Sequence, residues 1–148
     1  MVKPVMQPVT PKDHLLNIMD LYRARRQFVM PVRSFTSSVL KWPDRETVDK
    51  AVRKWVTVEV RKHRELRRLG YFGSYAGDNW GVGSDLDLIA IVANASESFG
   101  RRNLTWNLDP LPVPTDLLIY TEEEWKRLHE RGGKFIRTLD LETIWIYP

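Results

Sequence analysis

The sequence predicts an α/β fold, a small mixed β-sheet of three to five strands flanked by helices. Three observations carry this expectation. Apolar residues recur at helical spacing beyond Asp44, while short apolar runs of strand length follow at 69–72, 85–92, 115–120 and 143–147. A glycine-rich stretch ending at Gly83 separates the first two of those runs.

Each element has a local reason. Residues 1–12 carry three prolines and no periodicity, and read as an arm. Residues 13–28 suit a helix capped by Asp13, with Leu15, Ile18, Met19 and Tyr22 on one face and Pro31 as its stop. The domain division expected is therefore an N-terminal arm and helix over 1–35 and one compact domain over 36–148. Met30 is an alternative start, because the strongest patterning begins after it. Asp44 is the expected N-cap of the next helix, whose apolar stripe is Val48, Val52, Trp55 and Val56. Basic residues from Arg61 to Arg68 suit the negative end of its dipole, with Gly70 as the C′ residue. A strand of Leu69, Tyr71 and Phe72 follows and ends at Gly73-Ser74, and Asp85 to Val92 is the second strand. Residues 93–110 are irregular or partly helical, and Thr115 to Tyr120 is the third strand. Thr121 with Glu124 three residues on is a capping box for a helix over 122–131, ended by Gly132-Gly133. Thr143 to Tyr147 is apolar enough for a last strand at a sheet edge.

Composition narrows the chemistry. The 148 residues include no cysteine, which excludes disulfides, thiol catalysis and cysteine-bound zinc. The longest apolar run, Leu88 to Ala93, is too short to span a membrane, and the first twenty residues lack a signal-peptide core, so the cytoplasm is expected. A net charge of +4 hides a split: residues 1–70 hold 16 Lys and Arg against 7 Asp and Glu, and residues 71–148 hold 7 against 12. The basic half suits an anionic partner such as nucleic acid, nucleotide or an acidic protein. A solvated helix face explains it as well and is preferred.

The carboxylates carry more information. Asp85 and Asp87 alternate along a strand, so their side chains share a face. Like charges that close repel unless a cation lies between them. Hard oxygen ligands on a rigid strand suit Mg²⁺ (or Mn²⁺), which takes further ligands from water and substrate phosphates. Asp-x-Asp alone is more often a solvated strand face. Gly73-Ser74 adds a strand end where backbone approaches a bulky anion, with N–H donors at a following helix start and the Ser74 hydroxyl. Asp116 opens an otherwise apolar strand, where a carboxylate is costly unless paired or metal-bound. If its strand neighbours the one bearing Asp85 and Asp87, three carboxylates converge as two-metal phosphoryl transfer requires.

Gly-Ser, ten residues, Asp-x-Asp in an apolar strand, then a later strand Asp: this order resembles the polymerase-beta-like nucleotidyltransferase superfamily, above all its minimal nucleotidyltransferase branch. The resemblance covers roughly residues 46–120. It implies an enzyme that moves a nucleoside monophosphate from a nucleoside triphosphate, with ATP expected, to an acceptor hydroxyl. Asp85 and Asp87 would bind both metal ions, Asp116 would bind one and help activate the acceptor, and Gly73, Ser74 and Ser84 would hold the nucleotide. One position departs from the pattern: where minimal members carry Arg after Gly-Ser-x-Ala, this chain has Gly77. That favours an alternative, a catalytically weak or inert module on the same fold, such as an antitoxin paired with a helical HEPN protein. A homo-oligomer and nucleic acid stay open as partners, and no membrane is implied. A metal-dependent nuclease ranks third, since it has no need of Gly73-Ser74. His14, His63 and His129 lack ligand spacing and suit surface or helix-end positions, and Arg101-Arg102 suits a solvated pair. Trp80, in the glycine-rich loop, is placed either to stack on a base or to cover the site.

Overall fold

The structure is a computed structural model that describes residues 41–148. The expectations for 1–35, including the helix over 13–28 and His14, lie outside the described residues. Residues 41–148 belong to a single compact unit.

Helix α1 runs Arg45–Lys62, β1 Leu66–Phe72, β2 Leu86–Val92, β3 Thr115–Thr121, α2 Glu122–Arg131, α3 Lys134–Glu142 and β4 Ile144–Tyr147. Short 3₁₀ segments occupy Gly73–Tyr75 and Phe99–Thr105. The four strands form one sheet in the order β3-β2-β1-β4. The β1–β2 and β1–β4 pairs are antiparallel and β2–β3 is parallel, so the sheet is mixed as expected.

Local chemistry accounts for the helix boundaries. The Asp44 carboxylate accepts from the Thr47 N–H at 2.8 Å, so α1 starts where the N-cap was expected. Hydrogen bonding from Thr47, its side chain first and then its N–H, holds the Asp44 carboxyl below its ordinary range. Val48, Val52, Trp55 and Val56 are buried, and the Trp55 indole donates to the Asn107 carbonyl at 2.7 Å. At α2 the capping box is present in both directions between Thr121 and Glu124.

Two expectations are corrected. Helix α1 ends at His63, and Gly70 is an interior residue of β1 rather than a C′ residue. The reason is tertiary: a Cβ at Gly70 would lie 2.6 Å from the Ile144 carbonyl oxygen, so this glycine admits β4 against β1. Residues 134–142, for which no element was expected, form α3, which buries Ile136 and Leu139.

The sheet is buried on both faces. Leu86, Leu88, Ala90 and Val92 join the core that contains the α1 stripe, Trp106, Leu117 and Ile119. The alternate residues Asp87, Ile89 and Ile91 point the other way and are also buried. On that side Phe72 meets Phe135 of α3 edge to face, with ring centroids 6.5 Å apart.

Candidate active site

The site is built where β1 ends and β2 and β3 begin. In the parallel β2–β3 ladder, Asp87 is paired in register with Asp116. Residues so paired face the same side on strands about 4.8 Å apart, so the two carboxylates stand abreast. On the other flank, Phe72 pairs with Asp87 in the antiparallel β1–β2 ladder, which brings the residue before Gly73 beside the same aspartate. Asp87 is 4% exposed. Asp116 is half-buried, and Asp85 is exposed immediately before the first residue of β2. The entry to β2 is fixed by the Leu86 N–H, which donates to the Pro114 carbonyl at 2.8 Å.

Gly73 has φ 75°, a left-handed conformation that side chains resist. The strand can turn sharply there because the residue is glycine. Ser74 follows within a single 3₁₀ turn, closed by the Ala76 and Gly77 N–H groups on the Gly73 carbonyl at 3.1 and 3.2 Å. The helix start expected at this point is thus a turn. Ser84 holds the loop in shape: its hydroxyl oxygen accepts from the Gly81 N–H at 2.8 Å, and its own N–H donates back to the Gly81 carbonyl at 3.0 Å. That reciprocal pair closes the turn immediately before Asp85.

The loop between Gly73 and Asp85 is tied to the start of α1 by residues that sequence reasoning missed. The Tyr75 hydroxyl accepts from the Trp42 indole at 2.9 Å and donates to the Pro43 carbonyl at 3.0 Å. Its ring lies parallel to that of Trp80, with centroids 6.0 Å apart. Arg45 reaches Asp78 at 3.6 Å. Burial first, then the nearby charge of Asp85, pushes the Tyr75 phenol above its ordinary range despite the opposing Trp42 hydrogen bond. No periodicity joins positions 42, 75 and 80, so nothing in the sequence signalled this cluster. Trp80 therefore has at least one ring face directed at the protein's own Tyr75.

Among the described residues, no three His, Asp or Glu side chains are gathered into a set that could hold a metal ion as they stand. The donor chemistry nevertheless fits a hard divalent cation, with two carboxylates in register and a third two residues before one of them.

A family model described as a nucleotidyltransferase domain matches residues 54–140 of the chain, more than half its length. The chain belongs to the nucleotidyltransferase domain family. The match spans β1, the Gly73 turn, β2 and β3, and thus every element that bears the site. A crystal structure of a candidate nucleotidyltransferase from Sulfolobus solfataricus shares the fold, with a TM-score of 0.50 and 15% identity over 73% of this chain and 90% of that one. A toxin–antitoxin crystal structure with AMP-PNP aligns at a TM-score of 0.45 and 17% identity, over 64% of this chain and 72% of that one. No curated protein sequence matches significantly. Among the described residues, no helix is long and apolar enough to cross a membrane.

Among the remaining polar residues Arg102 departs from expectation. Arg102 is buried, not solvated, and pairs with Glu124 through two hydrogen bonds of 2.6 and 2.9 Å. The cause is its position in the 3₁₀ segment beneath α2, where it also donates to the Ile119 carbonyl at 3.0 Å. Arg101 stays exposed. His63 caps the end of α1 but is buried. His129 is exposed on α2 and bonds Asp140 at 2.9 Å.

Proposed function

We propose that the chain transfers a nucleoside monophosphate from a nucleoside triphosphate, with ATP favoured, to an acceptor hydroxyl, using Asp85, Asp87 and Asp116. The observation that carries this reading is the in-register pairing of Asp87 with Asp116 beside the left-handed Gly73 turn. Membership of the nucleotidyltransferase family supports the reaction class.

Divalent metal ions, Mg²⁺ or Mn²⁺, held by these three carboxylates would neutralise the phosphates and acidify the attacking hydroxyl. The protein's own part is positioning. Buried Asp87 is central, flanked by Asp116 on β3, while exposed Asp85 faces the side from which a triphosphate enters. The Gly73 turn lets backbone approach the triphosphate closely, and the Ser74 hydroxyl can donate to it. Ser84 contributes by holding the turn that presents Asp85. Asp116 orients the acceptor hydroxyl and draws off its proton as the new ester bond to phosphorus forms and the bond to pyrophosphate breaks.

The decisive experiment measures label transfer from an α-labelled nucleoside triphosphate with Mg²⁺ or Mn²⁺ to a cell extract, then to the isolated acceptor. Asp85→Asn/Asp87→Asn should reduce transfer by about three orders of magnitude or more, the loss of several kcal/mol of charge stabilisation. Transfer retained by the double variant overturns the assignment. Gly77 favours a second reading, an inert member of the same fold that binds a partner protein, such as a helical HEPN protein. It predicts no label transfer from the parent chain and partner binding unchanged by the double substitution.

A further inference from the structure

A second cavity lies at the opposite end of β2 from the aspartates. It measures about 400 Å³, and its walls include His63, Glu65, Glu97, Arg102 and Trp106. Val92, which closes β2, lines it, whereas Asp87 lies five residues back, roughly 17 Å along a strand. A nucleotide held at the aspartates would not fill it.

The lining chemistry selects the sign of an occupant. Arg102 is the cation in the wall, and it is committed. Its guanidinium donates to the Glu97 and Ile119 carbonyls and doubly to Glu124, so its charge is offset within the protein. The carboxylates are less fully offset. Glu65 is 38% exposed and contacts the His63 Nδ1 at 3.2 Å, while Glu97 is exposed. Behind the imidazole stands Glu59, 2% exposed, with Oε2 3.3 Å from His63 Nε2. Despite that distance, neither atom makes a hydrogen bond with acceptable geometry, and both are shielded from solvent. His63 is itself nine-tenths buried and lines the cavity. Its ring is stacked on Trp106 at 3.8 Å with planes 1° apart, and both residues line the cavity. Two carboxylates, Glu65 and Glu97, beside a pair of stacked aromatic rings describe a pocket for a cation with a compact apolar body.

We propose that this cavity binds a small organic cation of the amine or guanidine class, seated against the His63–Trp106 stack with its charge toward Glu65 and Glu97. The site is separate from nucleotidyl transfer and does not depend on it.

Calorimetry on the full chain with agmatine tests the assignment, with 1,4-butanediol as the uncharged control and inorganic phosphate as the anion control. Agmatine should bind saturably, and the two controls should not. Glu65→Gln and Glu97→Gln should each weaken agmatine by about tenfold, the effect of removing one charged hydrogen-bond acceptor. Asp85→Asn/Asp87→Asn should leave agmatine binding intact, which separates the cavity from cation capture by the aspartates. Far-UV circular dichroism checks the fold of each variant, and either glutamate variant suffices if the other misfolds. No saturable agmatine binding, tighter binding of phosphate, indifference to both glutamate changes, or loss in the aspartate variant would each overturn the proposal.

Discussion

The two ends of β2 handle charge in opposite ways. At its end, beside Val92, the buried cation Arg102 is matched by Glu124 across two hydrogen bonds. At its start, carboxylate stands abreast of carboxylate, with Asp87 and Asp116 in register. A matched pair serves the fold, because removing one member strands the other in a low-dielectric setting. Carboxylates abreast repel each other, and a divalent cation between them relieves that repulsion. The difference teaches where to look for chemistry on a sheet whose faces are both buried.

That contrast makes activity and stability separable by mutation. The largest effect expected is on catalysis: Asp116→Asn should lower label transfer by about two orders of magnitude or more. Its unfolding midpoint in urea should change little, since one half-buried oxygen is replaced by an amide of the same shape. Comparable loss of both would mean that Asp116 is structural.

Glu124→Gln should do the reverse. Leaving Arg102 buried without its carboxylate should cost about 2 kcal/mol in chemical denaturation, less than for a fully buried pair because Glu124 is 36% exposed. Label transfer per folded molecule should hold. The pH dependence has a definite sign. Burial alone would raise the Glu124 carboxyl, but the Arg102 hydrogen bond, the Thr121 N–H and the Arg102 charge together bring it below its ordinary 4.5. A carboxyl depressed in the folded state contributes stability above its unfolded pKa and loses it as pH falls through the folded value. The stability gap between the parent and Glu124→Gln should therefore be constant above about pH 5 and close below 4.5.

Comparable in size is Gly70→Ala, which tests packing between the two ends. The 2.6 Å approach to the Ile144 carbonyl forces β4 to shift, at about 1–3 kcal/mol in thermal unfolding. The smallest effect expected is Gly77→Arg. A Cβ there meets only the Asn79 amide oxygen at 3.0 Å as a close neighbour, and that side chain is exposed and free to give way. Restoring a cation near the triphosphate should lower the KM for nucleotide a few-fold, about 0.5–1 kcal/mol at an exposed site. An unchanged KM would place position 77 outside the nucleotide's reach.

Patterns of short range were legible in the sequence. The N-cap at Asp44, the capping box at Thr121 and the four strands follow from residues within a turn or an alternation of one another. So does the motif order that resembles the nucleotidyltransferases. Misreadings arose where a distant segment decided. Gly70 resembled a helix terminator because its reason for being glycine, the Ile144 carbonyl, lies more than seventy residues away. Arg102 resembled a solvated residue because its partner Glu124 sits on another element.

By itself the sequence determined the described elements other than α3, the absence of cysteine chemistry and the carboxylate motif, because each is written in neighbouring residues. Only the tertiary structure decided that β3 pairs parallel with β2 in the register that sets Asp116 beside Asp87, and that Tyr75 ties the glycine-rich loop to Trp42 and Pro43. A strand's register depends on which face its neighbours bury, and a one-residue slip would turn Asp116 to the opposite side of the sheet.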